Sequence, residues 1–333
     1  MTAKQEILGN EQQTLYGRMW QVLVWTGEEK ALDVSDLRVV FEIKQNALGQ
    51  PGIMHLVVYN LSPESEAQII QEGFHIQLIA GYQAQYGILF EGDIIQVFRN
   101  REEGTEYKLE IIAADGKNWM GINFVKATLA AGCNPRQIVE GVAKLSYYPI
   151  EIETISESLP EQELPRGKVC WGQPNKILND VSKGTDSFYH VNQGKLTVRK
   201  YTDPIPEDKM IVLTPTSGLV GTPEYTDDGI HIKMLLNPLV GLHSMIKIDN
   251  DIIQRQAIDL GLITGTTNLD PSSVKATDQN LKFDPDGEYE VYSYVHSGDT
   301  HGQIWTTEVV GIGRNGRAGL PVAVESAEGT VRS

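Results

Sequence analysis

Between Met210 and Asp249 the chain reads MIVLTPTSGLVGTPEYTDDGIHIKMLLNPLVGLHSMIKID. Apolar, β-branched segments alternate there with Gly- and Pro-bearing turns, the pattern of strands joined by tight connections. Gly218, Gly221 and Pro223 mark one turn region and Asn237-Pro238 a second. Such a stretch is expected to form sheet, and is read as the entrance to a β-barrel. It holds no catalytic pattern, and the 333 residues contain no GxSxG elbow, no HExxH and no phosphate-binding loop. A building block is expected rather than an enzyme.

The rest of the chain divides around that stretch. In residues 1–117, strands are expected at Trp20–Trp25, Leu37–Ile43, Gly52–Tyr59, Phe74–Gly81, Leu89–Phe98 and Tyr107–Ala113. The last two make a hairpin across the charged loop RNREEGTE. Ser62 and Pro63 start one short helix with Ile69 and Ile70 on its apolar side, and Gly73 ends it. Residues 118–200 change character and read as a small α+β domain. Asn134-Pro135 opens a helix with Ile138, Val139, Val142 and Leu145 on one face. A strand at Ile150–Ile155, an exposed loop LPEQELPRG and a strand at Val169–Trp171 follow. Pro174 starts a second helix that Gly184 ends, and Phe188–Val191 pairs with Lys195–Arg199. Residues 201–312 open with the linker TDPIPED and form a second β domain. They include a polar excursion at 251–286, with a helical piece at Ile252–Asp259, and a hairpin of Glu288–His296 with Gln303–Ile312 turned by SGDTHG. Residues 313–333 read as an extended tail. The two long hairpins near the ends echo each other in pattern though not in identity. This implies two related barrels flanking the α+β domain, although β-hairpins in general look alike.

Composition narrows the function. With 41% hydrophobic and 22% charged residues, a packed core is expected. A net charge of −16 argues against a surface that grips nucleic acid or an anionic membrane, and fits a wall that DNA slides past. Cys133 and Cys170 lie in no metal-binding or disulfide spacing. The polar N-terminus and the lack of any apolar run near 18 residues leave secretion and membrane spanning unsupported. Gly311, Gly313 and Gly316 match GxGxxG, but Gly319 and Pro321 follow where a helix is needed. His296, Asp299 and His301 could ligate a metal, yet Gly and Asp in that position serve the turn itself. Asp227-Asp228 also reads as a turn. His55, His75, His190, His231 and His243 share no spacing. No cofactor, metal or catalytic residue is therefore expected. Trp20, Trp25, Trp119, Trp171 and Trp305 mostly sit in strand patterns, where packing is their common role.

Three stretches carry a resemblance. VVYNLSPESEAQII, continued by FHIQLIAGYQAQYGILFEGDIIQV and KLEIIAADG, looks like the tail-tube fold. The stretch Met210–Asp249 and the hairpin EYEVYSYVHSGDTHGQIWTTEVV complete the set. In this order they resemble the baseplate hub proteins of contractile-tailed phages, whose relatives occur in other contractile injection machines. The middle block matches in arrangement only. The resemblance implies a mainly β fold of two tail-tube-like antiparallel barrels flanking a mixed α+β domain. It implies a homotrimer forming a pseudo-sixfold ring that joins a sixfold tail tube to a threefold central spike, with a lumen for DNA. Expected partners are the spike protein, tail tube or tube-initiator proteins and the tape measure protein, without sequence-specific nucleic acid binding or membrane insertion. The expected location is the tail baseplate of the virion, assembled in the host cytoplasm. Gly218, Gly221, Pro223, Asn237 and Pro238 become candidates for a subunit interface. The alternative is a carbohydrate-binding or cell-wall-degrading tail module.

Overall fold

A computed structural model describes residues 15–27, 30–47, 51–102, 106–116, 119, 123–192, 194–200, 203, 210–226, 229–248, 254–255 and 287–313. The chain forms two compact units. One comprises Met1–Ile205, Leu236–Pro238 and Val295–Thr306, and the other Pro206–Leu235, Leu239–Tyr294 and Thr307–Ser333.

The first unit begins with strands β1 (Arg18–Gly27), β2 (Lys30–Asp33), β3 (Val39–Asn46), β4 (Ile53–Tyr59), β5 (His75–Tyr82), β6 (Gln85–Glu102) and β7 (Glu106–Ala114). They pair in the order β3-β4-β7-β6-β5-β1-β2, all antiparallel. Burial follows the two-residue period of a strand: Val22 and Val24, Val39, Phe41 and Ile43, Ile76, Leu78 and Ala80, and Leu109, Ile111 and Ala113 all face inward. Each of the larger of these side chains (Val, Ile, Leu, Phe) contributes roughly 1.5–3 kcal/mol of transfer free energy. Helix α1 (Pro63–Glu72) starts where expected: Ser62 Oγ accepts from Ser65 N–H, and Gly73 N–H closes the helix on Ile69 O. Ile69 is buried but Ile70 is 49% exposed, so the apolar side is narrower than expected. The charged loop is also shorter than expected. Strands β6 and β7 run through most of RNREEGTE, because cross-strand pairs such as Arg101 over Tyr107, at 4.4 Å, extend the ladder. Among the described residues the ladder does not close on itself. It ends at β2 on one side, and on the other Thr300 N–H adds to Val39 O at the β3 edge.

The same unit continues with β8 (Val125–Leu129), α2 (Pro135–Leu145), β9 (Glu151–Ile155), β10 (Lys168–Gly172), α3 (Pro174–Thr185), β11 (Ser187–Asn192) and β12 (Lys195–Lys200). β8 and β10 form an antiparallel ribbon; β11, β12 and β9 form a separate sheet in that order, with β9 parallel to β12. The core between them joins Val125, Val139, Val142, Cys170, Leu178, Leu196 and others. A capping box of Asn134 with Gln137 fixes the start of α2. Three expectations need correction here. Strand β8 was not anticipated. Leu145 is 55% exposed, since it ends the helix beyond the last turn that packs. Gly184 lies inside α3, which stops at Asp186 in left-handed backbone (φ 50°), its N–H on Ser182 O. This small domain is tied to the first sheet by Gln45 Nε2 donating to Val191 O and Gly194 N–H donating to Asp115 Oδ1.

The second unit holds β13 (Met210–Leu213), β14 (Glu224–Thr226), β15 (Gly229–Leu235), β16 (Met245–Ile248) and β17 (Gln254–Arg255). It also holds most of β18 (Glu288–Asp299) and β19 (Trp305–Gly313). β13 runs parallel to β16, which pairs antiparallel with β18; β14 pairs antiparallel with β15 and parallel with β17. Ile230, Ile232, Met234, Ile246, Tyr289 and Val291 are central to its core. The helical piece expected at Ile252–Asp259 is overturned at Gln254–Arg255, which form a short strand paired parallel with β14 instead. The rest of the 251–286 excursion, the TDPIPED linker apart from Asp203, Asp227-Asp228 and the tail beyond Gly313 lie outside the described residues. No helix among the described residues is long and apolar enough to cross a membrane.

Candidate interaction surfaces

The β18–β19 turn is bonded to the first sheet by several side chains. Trp305 is 1% exposed and sits edge-on to Phe41 (5.4 Å) and Trp20 (6.2 Å), with the Arg18 guanidinium 5.3 Å from its ring centre. Its indole N–H donates to Gly81 O at 3.2 Å. Arg18 also donates to the carbonyls of Asp299, Gly302 and Gln303. Side chains thus span the gap that the ladder leaves between the start of β1 and the turn. Gly298 permits this packing: an added Cβ would overlap the Phe41 ring and stand 2.9 Å from Trp305 Cε3.

This explains the residues considered for a metal. Asp299 accepts from Arg38 Nε and Nη2 and from His301 N–H, and the Arg38 bonds hold its carboxyl below the usual range. His296 is buried, while the exposed His301 ring bonds Thr300. Among the described residues no three His, Cys, Asp or Glu side chains are grouped to hold a metal.

A charged network went unread because it depends on strand register. His75 lies opposite Asp93, and Gln77 opposite Glu91. His75 Nδ1 is 3.0 Å from Asp93 Oδ1 and Nε2 is 3.5 Å from Glu91 Oε1. Hydrogen bonds to Asp93 and then Glu91 raise the imidazole to about 9, and the same histidine lowers Glu91. The network straps β5 to β6.

The five interface candidates divide between the units. Gly218, Gly221 and Pro223 lie together in the second. Residues on either side of the Gly221–Pro223 break pair with β15: Val220 N–H donates to Lys233 O, and Glu224–Thr226 is β14. Gly218 (φ 113°) and Gly221 (φ 73°) hold backbone that favours glycine, so they shape the break. Asn237 and Pro238 belong to the first unit, where Gln85 Nε2 donates to Asn237 Oδ1.

Of the five tryptophans, Trp119 and Trp305 are buried but Trp171 is 63% exposed on the β8–β10 ribbon. It stands among Phe124, Lys126 and Val169, an apolar and cationic surface that strand alternation alone did not identify.

Comparison with known proteins resolves the family. The family model described as baseplate hub gp41 matches residues 21–254. The chain belongs to this family. The hub chain is thus a phage tail structural component, of a family whose role is baseplate architecture. Its fold is similar to the 43 kDa tail protein of prophage MuSo2 from Shewanella oneidensis (9% identity, TM-score 0.55), covering 90% of this chain and 98% of that one. It is similar also to a tail protein from Neisseria meningitidis MC58 (10% identity, TM-score 0.53, 91% and 99% covered). A third likeness is the E. coli c3393 protein (9% identity, TM-score 0.51, 84% and 75% covered). That protein is described as a component of the type VI secretion system with structural similarity to T4 bacteriophage tail proteins gp27 and gp5. No curated protein matches the hub chain in sequence.

Proposed function

We propose that three copies of the chain form a pseudo-sixfold ring at the centre of the baseplate, joining a sixfold tail tube to a threefold central spike around a lumen for DNA. The observation that carries this reading is the hub-family match across residues 21–254, together with two β-rich regions in one chain. Two tube-type walls per chain let three chains supply six positions, and heterologous contacts close such a ring. In this reading residues 1–117 form the first wall, 118–200 the inserted α+β domain and 201–312 the second wall with the 251–286 excursion. Residues 313–333 form a tail. Side-chain seams such as that around Trp305 complete walls whose ladders stay open.

Gly218, Gly221, Pro223, Asn237 and Pro238 shape loops where neighbouring copies meet. The partners are the spike protein, tail tube or tube-initiator proteins and the tape measure protein, brought together in the host cytoplasm. The role is mechanical, with no catalysis, no sequence-specific nucleic acid binding and no membrane insertion, and the net charge of −16 keeps passing DNA from adhering. Light scattering and electron microscopy of the full chain test it. A threefold particle with six similar wall segments is expected. A chain that stays monomeric at micromolar concentration with spike and tube proteins present would overturn it.

A further inference from the structure

Strands β6 and β7 run on as a hairpin past the sheet that holds them. β5 pairs with β6 no further than Asp93, and β4 with β7 no further than Lys108, where one more bond, from Asn60 N–H to Tyr107 O, ends the contact. Opposite residues of an antiparallel pair share a face, so the register fixes what the overhang carries. Val97 stands opposite Ile111, Arg99 opposite Leu109 and Arg101 opposite Tyr107. Ile111 and Leu109 are buried in the core. Arg99, Arg101 and Tyr107 therefore continue the core-facing row beyond the point where the core ends. Lys108, opposite Asn100, belongs to the other face, where it pairs with Glu110 at 3.1 Å.

Arg99, Asn100, Arg101 and Tyr107 line a hollow of about 370 Å³. Both guanidiniums lie against one ring, that of Arg101 at 4.4 Å and that of Arg99 at 5.4 Å from the Tyr107 centre. Arg101 donates through Nη2 to the Tyr107 hydroxyl and makes no ion pair among the described residues. Arg99 faces Glu66 of α1, a side chain 8% exposed, with Nε 2.8 Å from Oε1. That contact is ionic rather than a directed hydrogen bond, because Oε1 has no hydrogen-bond partner of proper geometry. The N–H groups of Arg99 are thus unspent, and Arg101 has spent one of its own. Two cations stand beside one ring with a single carboxylate to balance them. An anion seated with them relieves their repulsion and takes up their donors.

We infer that the hollow at Arg99, Arg101 and Tyr107 is a carboxylate site that takes an Asp or Glu side chain of a partner protein. Glu66 shows the preference, since the acid packed beside this row is already seated on Arg99. A guanidinium fork matches the two oxygens of a carboxylate. A nucleic acid strand fits worse. Residues 99–108 contain Arg99, Arg101 and Lys108 against Glu102, Glu103 and Glu106, a net charge of zero, so no positive field extends along a phosphate backbone. The Tyr107 ring already carries two guanidiniums where a base would have to stack. The source is a different protein rather than a second copy, because the overhang projects along the strands past the end of the wall, whereas copies in a ring meet side by side. That choice of source rests on the ring reading above; the carboxylate site does not.

The test uses the full chain and fluorescein-labelled hexaglutamate, read by fluorescence polarization at low salt. Binding is expected. Arg101→Gln should weaken it by about tenfold or more, and so should Arg99→Gln made together with Glu66→Gln, a pair that leaves no buried carboxylate unmatched. Arg101→Lys keeps the charge without the fork and should weaken binding by about threefold. Lys108→Gln removes an equal charge from the other face and should change it by less than about twofold. Equal losses from Lys108→Gln and Arg101→Gln would reduce the effect to general charge and overturn the site. Labelled hexathymidylate binding as tightly as hexaglutamate, or no hexaglutamate binding at all, would also overturn it. Oligomers of the chain that hexaglutamate dissociates would keep the site and overturn the choice of a different protein as its source. Hexaglutamate binding by a chain that never forms rings would leave the site standing and remove the ring reading with that choice.

Discussion

Trp305 and Trp171 both belong to strands of the first unit, in alternating apolar sequence, and their surroundings are opposite. Around Trp305 the large sheet curls so that β1, β3, β5 and the β18–β19 turn all reach the indole, and Gly298 leaves room for it. Around Trp171 there are two strands and a single bridge, with a core on one side only. An aromatic side chain at a strand position is therefore no measure of burial. What decides is whether a second layer covers that face, and among the described residues none covers the outer face of the ribbon.

The comparison can be broken most decisively at Trp305. Trp305→Ala should cost about 3–5 kcal/mol in chemical denaturation, as expected for emptying a packed aromatic site; a loss below about 1 kcal/mol would mean that the seam is not a core. Gly298→Ala attacks the same place from the other side by overfilling it. The expected cost is about 1–3 kcal/mol, seen as a lower melting temperature with altered tryptophan emission.

The outer face of the large sheet responds to pH. The folded imidazole of His75 is raised to about 9 from an ordinary 6.5, so its stabilising effect is full below about 6.5 and is lost as pH rises to about 9. Allowing for partial exposure, melting experiments should show a decline on the order of 1–2 kcal/mol across that window, absent in His75→Gln. The smallest effect belongs to the ribbon. Trp171→Ala should change the stability of the dissociated chain by no more than about 0.5 kcal/mol, so a large change would erase the contrast with Trp305.

Local rules were readable in the sequence wherever a few adjacent residues decide the outcome. Ser62-Pro63 and Asn134-Pro135 start their helices as cap chemistry requires, and the strands of the large sheet follow their alternation. Legibility stopped where distant partners decide. β8 is five residues long and exists because β10 pairs with it; Gln254–Arg255 is drawn into a strand by β14. The His75 network needs the β5–β6 register, and Trp305's slot needs residues more than 200 positions away. The candidate residues Gly218 and Gly221 were legible as turn formers, but what their loop meets is not written in their spacing. The hub resemblance drew on order along the chain, and the family match spans its first and second stretches but not the hairpin beyond residue 254.

The Trp305–Gly81 hydrogen bond joins residues 224 apart in sequence. At about 5–20 residues per second, roughly 10–45 s of translation separate the emergence of Gly81 from that of the indole it receives. Over that interval the nascent first sheet has an apolar notch with nothing to fill it, and its final closure is necessarily a late, long-range event. Ribosome-stalled chains ending before Trp305 should therefore be cut within the first sheet by protease far faster than chains extended past it. Equal resistance would show that the notch is filled by other means during synthesis.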